Sequence, residues 1–207
     1  MTTHKKYLSQ DLHKPMVLKG ASIQRYYWTQ DMSQGIIEYV DADKYKQDFP
    51  KAEKALHHNN DRIVMQGMTG ANDKIRLVST LIPKGFYLAH SCNYIIPMEG
   101  VELKYLLGIL NSKIANWYFR CFSTNSNVNS YEVESIPIPS ADEDKQHYIS
   151  NIVSEILSAK ASFPTADTSA LEQEIDRLIY KLYGLTYDEV KIVDPETPLT
   201  EEDYNKE

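Results

Sequence analysis

The chain has 207 residues, a formal net charge of −7, 42% hydrophobic and 25% charged content, the make-up of one large globular domain or a domain with an appendage. No apolar run approaches the roughly 20 residues that span a bilayer, the polar start MTTHKKYLSQDLHK has no secretory-signal core, and Cys92 and Cys121 form no CxxC pair. Membrane, secreted and disulfide-scaffold classes are therefore set aside in favour of a reducing cytoplasm.

Residues 1–15 are expected to be a flexible N-terminus. Val17 to Trp28 predicts a short strand, a turn at Gly20 and a second extended piece rich in aromatics. Ile36 to Val40 is a strand by its β-branched content. Asp43 to Asn60 is charged and interrupted by Pro50, which predicts a helical turn and then a helix or loop. Arg62–Gln66, Ile75–Leu81, Phe86–Ala89 and Tyr94–Ile96 are predicted strands separated by turn-like segments. After residue 100 helices dominate. Leu103, Leu106, Leu107, Leu110, Ile114 and Trp117 recur at helical spacing, and Asn111-Ser112 either kinks that helix or restarts it with Ser112 as cap. Ser140 with Glu143, Ser169 with Glu172 and Thr186 with Glu189 fit the capping box, and Gly184 is placed to end the helix before it. The acidic tail from Asp194, with two prolines, is expected to be disordered.

Charge is uneven: residues 1–130 carry +5 and residues 131–207 carry −12. Such asymmetry marks a binding face joined to a docking segment, or is ordinary variation along a chain. Candidate catalytic groups are weak. His57-His58 with Asp61 has the wrong spacing for zinc, since adjacent helical side chains point about 100° apart. Asp176 with Glu189-Val190-Lys191 matches a magnesium-nuclease pattern by spacing alone, but the first lies on an amphipathic helix and Glu189 is a capping residue. No phosphate loop and no G-x-S-x-G elbow is present. Polar recognition is better supplied. Lys19, Gln24 and Arg25 precede Tyr26, Tyr27 and Trp28; Arg and Gln suit guanine and adenine edges, whereas Lys and Tyr suit phosphates, or the segment is a plain strand whose aromatics alternate between core and surface. Gln66, Asn72, Lys74 and Arg76 surround a predicted hairpin that is either a groove-reading ribbon or an ordinary solvated turn. Lys113, Arg120, Ser123, Thr124, Asn125, Asn127 and Asn129 frame a loop whose Asn and Ser residues also suit plain loops.

The ordered segments LKGASIQRYYW, RIVMQGMTGANDKIRLVST, FYLAHSCNYIIP, LKYLLGILNSKIANWYF, VESIPIP and IDRLIYKLYGLTYDEVKIV resemble the C-terminal target-recognition (specificity) domain of TaqI-like adenine-amino DNA methyltransferases and fused type IIG restriction-modification enzymes. The resemblance covers about residues 16–193. It implies a domain that faces the major groove of double-stranded DNA, opposite a methyltransferase domain that binds S-adenosylmethionine and flips the adenine. By position, LKGASIQRYYW, the QGMTGANDKIR hairpin and the loop after Asn111-Ser112-Lys113 are the implied DNA contacts. Methyltransferase and nuclease segments are absent from these residues. The chain is therefore expected to be non-catalytic and to carry no cofactor of its own, with S-adenosylmethionine, and Mg as a further option, belonging to the missing catalytic domains.

The expectation is an α+β fold: a flexible 1–15, a mixed or antiparallel sheet core with packed helices over 16–139, a helical segment over 140–193 and a disordered 194–207. The DNA-binding residues would be Lys19, Gln24, Arg25, Gln66, Asn72, Lys74, Arg76, Lys113, Arg120, Thr124, Asn125, Asn127 and Asn129. The partners would be double-stranded DNA and a methyltransferase domain or subunit on which the acidic helices dock, with no membrane. The rival is a protein-interaction module whose acidic helical end binds another protein; a small hydrolase with scattered catalytic residues is the third reading.

Overall fold

The computed structural model describes residues 5–30 and 36–206. The chain forms an α+β fold in two units, Met1–Met68 with Val78–Val101, and Thr69–Leu77 with Glu102–Glu207. The helices after residue 102, expected to belong with the sheet as far as 139, count with the second unit.

In the first unit a 3-10 turn (Lys5–Tyr7) leads into β1 (Leu8–Ser9), followed by β2 (Met16–Leu18), a 3-10 turn (Gly20–Ser22), β3 (Ile23–Gln24), β4 (Tyr27–Trp28) and β5 (Glu38–Val40). Helix α1 (Ala42–Asp48) and a longer 3-10 segment (Glu53–Asn59) precede β6 (Arg62–Gln66), β7 (Ser79–Ile82), β8 (Tyr87–Leu88) and β9 (Cys92–Ile95). Among the described residues these make a sheet of order β1-β5-β2-β8, an antiparallel sheet of order β7-β6-β9 and the two-stranded β3-β4 hairpin. β2 pairs antiparallel with β5 and parallel with β8, so the sheet is mixed.

Strand β2 is buried on both faces, and its pleat explains how. Alternate side chains point to opposite sides: Met16 and Leu18 join Ile23, Val64, Ile82 and Cys92, whereas Val17 joins Tyr7, Val40 and Ala42. The N-terminal stretch is therefore not loose where it is described. Tyr7 is 1% exposed and its hydroxyl bonds Asp48 Oδ2 at 2.5 Å, closing an apolar ring that composition alone hides. Residues 1–4 of that stretch lie outside the described residues.

The second unit is helical: α2 (Leu103–Asn111), α3 (Lys113–Phe122), α4 (Ser130–Glu134), α5 (Glu143–Ser162), α6 (Ser169–Leu182), α7 (Tyr187–Val193) and α8 (Glu201–Asn205). The helical stripe from residue 103 is broken, not merely kinked. Ser112 is extended, at φ −70° and ψ 156°, and its hydroxyl accepts the Ala115 N–H at 3.2 Å, so α3 restarts with its own cap. α2 packs on α5 closely enough that a Cβ at Gly108 would lie 3.1 Å from an Ile149 methyl. Gly184, at φ +69°, ends α6 in a full Schellman pair: Leu185 N–H bonds Tyr180 O and Gly184 N–H bonds Lys181 O.

Three local expectations are corrected. α5 is capped by Asp142, which accepts the Lys145 N–H at 2.9 Å, not by Ser140. α6 starts after Thr168, whose hydroxyl bonds Glu172 Oε1 at 2.7 Å, not after Ser169. The acidic tail is ordered over its described part: α8 buries Tyr204 to 4% exposure and anchors its hydroxyl on Leu185 O at 2.6 Å. No described helix is long and apolar enough to cross a membrane.

Candidate nucleic-acid interface

Two sets of loops carry the residues singled out from the sequence, one in each unit. In the first unit they are built on Ser91. Its hydroxyl accepts the Gly20 N–H at 2.9 Å and its carbonyl accepts the Gly67 N–H at 2.7 Å. A Cβ would lie 2.6 Å from that carbonyl oxygen at Gly20 and 3.0 Å from it at Gly67, so the approach excludes any side chain at Gly20 and crowds one at Gly67. From Gly20 the chain turns into the β3-β4 hairpin, closed by Arg25 and Tyr26. Tyr26 is left-handed, at φ +62°, a conformation that costs an ordinary residue about 1–2 kcal/mol. Burial of its ring to 1% exposure and its N–H bond to Ser79 O at 3.0 Å hold it there. The Arg25 guanidinium lies 5.4 Å from the Tyr26 ring centroid, within cation–π range. Gln24 is partly exposed beside it.

Lys19 and Gln66 do different work from that expected of them. Lys19 Nζ binds Glu38 at 2.7 Å and Ile36 O at 2.9 Å. Gln66 Nε2 donates to Ile23 O at 2.7 Å, bracing the hairpin from β6. Both side chains use their donors inside the unit.

In the second unit the organising residue is Arg76, which is 0% exposed. Its Nε donates to Thr69 Oγ1 at 2.8 Å and its Nη2 donates to Asn125 O at 2.7 Å. Longer contacts reach Ala71 O, Ser123 Oγ and Asn127 O, and the guanidinium lies over Phe119 at 5.3 Å. Thr69 N–H also bonds Ser126 O at 2.9 Å. The 69–77 segment and the 123–129 loop are thus laced together through backbone carbonyls, and Thr124, Asn125, Ser126 and Asn127 remain exposed. Asn72 and Lys74 are exposed on the companion segment, and Arg120 on α3. Arg76 is corrected from a DNA contact to the buried strut of this edge, because its guanidinium is enclosed and occupied by protein acceptors.

Lys113 is likewise engaged: its Nζ pairs with the 9%-exposed Asp194 side chain at 2.6 Å. Its N–H bonds Asp176 Oδ1 at 2.8 Å. Asp176 therefore caps α3, and Glu189 closes the Thr186 capping box of α7; neither points to a shared ion. Asn129 caps α4 with Glu132. The expected ribbon is corrected too. β6 and β7 pair in register, Arg62↔Ile82 to Met65↔Ser79, but residues 67–78 between them form a long excursion, and 75–78 lie outside the strand.

Other reactive types have structural partners. His57 Nδ1 bonds the Tyr94 hydroxyl at 2.8 Å and His58 Nδ1 meets Ala55 O at 2.8 Å, so the two rings diverge. No group of three or more His, Cys, Asp or Glu among the described residues could hold a metal. Burial pushes the Cys92 thiol up to about 12, which leaves it protonated and unreactive at neutral pH. Sequence reasoning missed Ser91, Gly20 and Gly67 as a hub. It also missed Asn116, whose carboxamide holds the 74–77 segment; an asparagine in the middle of a helix, where it is a poor former, was the available signal.

No curated protein matches the chain in sequence. Among solved structures, the type IIL restriction-modification enzyme MmeI in complex with DNA superposes with a TM-score of 0.57 at 12% identity, over 91% of this chain and 30% of that one. The chain thus spans under a third of that enzyme's length, and the likeness is one of fold. The family model described as the TaqI-like C-terminal specificity domain matches residues 15–138, which takes in both loop sets and stops short of α5 to α8. With more than half of the sequence matched, the chain belongs to the TaqI-like C-terminal specificity domain family.

Proposed function

We propose that the chain reads a specific sequence in double-stranded DNA on behalf of a restriction-modification methyltransferase. Family membership supports this reading, as does a solved structure of the same fold whose subject is a restriction-modification enzyme with DNA. The observation that carries the residue-level reading is the Arg76 lacing. It fixes two loop backbones from beneath and leaves a row of amides, a hydroxyl and cations outward, the groups suited to base edges and phosphates.

The candidate readers are, in the first unit, Gln24 and Arg25 on the hairpin and, in the second unit taken by itself, Asn72, Lys74, Arg120, Thr124, Asn125 and Asn127 on the laced edge. Lys19, Gln66, Arg76, Lys113 and Asn129 position these from within. The acidic helices α5 to α8 are unsuited to phosphate by charge, since like charge repels. They are the surface for a methyltransferase domain or subunit, which would supply S-adenosylmethionine binding.

The test is selection of a preferred site from a randomised duplex library by the full chain, followed by titration of single-base variants of that site. Each position read by a bidentate side chain should lose about 1–3 kcal/mol when changed. Enrichment of no sequence above background would overturn the reading.

A further inference from the structure

The segment Lys74–Leu77 lies outside the sheets, and three of its backbone groups are held by one side chain. Asn116 Oδ1 accepts the N–H groups of Arg76 at 2.7 Å and Leu77 at 3.2 Å, and its Nδ2 donates to Lys74 O at 2.7 Å. The carboxamide does the work of a neighbouring strand. Around it the side chains sort sharply. Arg76 and Leu77 are 0% and 2% exposed, whereas Ile75 is 45% exposed and the Lys74 side chain is 85% exposed.

A single exposed isoleucine is ordinary on a protein surface. This one is held between backbone groups fixed on both sides, so it cannot fold inward without breaking the Asn116 bonds. Its β-branch leaves χ1 stiff, which gives it a constant apolar surface. Arg76, its neighbour, is the residue that laces the loop of Asn125 and Asn127. An apolar side chain is thereby displayed on the same segment as the polar readers.

In the major groove the apolar feature a base pair offers is the C5-methyl of thymine. We propose that Ile75 is a specificity-determining residue that contacts a thymine methyl group in the recognised site. This rests on the DNA-reading role above, and the experiment separates the two.

The full chain, wild type and Ile75→Ala, is titrated against the duplex selected from the library, with each thymine replaced in turn by uracil. Uracil removes the methyl group and keeps the hydrogen-bonding pattern. At one position the wild-type chain should lose affinity by about fourfold, the worth of one buried methyl group. At that position Ile75→Ala should respond by less than about twofold, while other positions behave alike in both chains. A selected site in which no thymine-to-uracil change separates the two chains, or which contains no thymine, overturns the role of Ile75 and leaves DNA reading intact. A library from which nothing is enriched overturns DNA reading and this inference with it.

Discussion

The guanidinium of Arg76 is satisfied by carbonyls and hydroxyls of two loops, whereas Arg120 on α3 stands exposed. The two should therefore fail differently. Arg76→Ala leaves several acceptors unpaired above a cavity and should cost about 3 kcal/mol of stability, read by urea denaturation. Arg76→Lys should not restore it, because an ammonium cannot span the forked set of acceptors. Arg120→Ala should stay within about 0.5 kcal/mol of wild type in stability and weaken duplex binding several-fold at about 0.1 M salt. Equal stability losses in the two alanine variants would remove the distinction drawn between strut and contact. The sequence made both arginines visible as cations near polar loops. It could not tell them apart, because the order Ile75-Arg76-Leu77 has the same composition whether the arginine faces in or out. What turns it inward is Asn116, more than 35 positions along the chain.

Where an element's boundary depended on one local group, it was legible. Ser112 restarts α3, Thr186 and Glu189 box α7, and Gly184 stops α6. Where two polar residues lay within a turn of each other, periodicity could not choose: Asp142 caps α5 by accepting a first-turn N–H, and Thr168 stands at the start of α6 with its hydroxyl donating to the Glu172 carboxylate. The Ile75–Leu81 strand was half right for a related reason: its β-branched residues favour extension, but only from Ser79 is there a strand to pair with. Tail composition misled because one tyrosine, Tyr204, supplies the anchor. The 3-10 segment before β6 carries a pH prediction. His58 stacks on Tyr87 with centroids 4.5 Å apart, and its Nδ1 must carry the proton because Ala55 O can only accept. Burial lowers its pKa below the ordinary histidine value. As pH falls, the unfolded chain takes up this proton first, near pH 6.5. The stability contributed is thus complete above about pH 6.5 and lost below it, toward the lower folded pKa. Thermal melting of wild type should decline between about pH 7 and 5.5, and His58→Phe, which keeps the stack and cannot titrate, should be flatter there. The lowered carboxyls Asp41 and Asp48 act at more acid pH, below about 4. Parallel melting profiles in the two chains would discard His58 as the source.

At the scale of the molecule, a chain of net charge −7 meets a polyanion only if its surplus cations are local and available. Lys19 and Lys113 are paired within the protein, and Arg76 is enclosed. Lys74 and Arg120 are exposed on the second unit, and Arg25 is the candidate of the first, so binding should neutralise about two or three phosphates. The plot of log affinity against log salt should then have a slope of about −2 to −3, at about −0.9 per phosphate. Lys74 has an internal competitor. Glu196 pairs with it at 3.4 Å, with both side chains more than 80% exposed. Such a pair contributes about 0–1 kcal/mol, so a phosphate can displace it, unlike the Lys113–Asp194 pair, whose carboxylate is nearly covered. Glu196→Gln should therefore tighten duplex binding by about twofold at low salt and converge with wild type above about 0.3 M, where screening erases exposed charge effects. Glu201→Gln, on α8, removes the same charge away from any such pair and should leave affinity unchanged. If the two variants tighten binding equally, the effect is one of net charge, and the Lys74–Glu196 pair has no part in it.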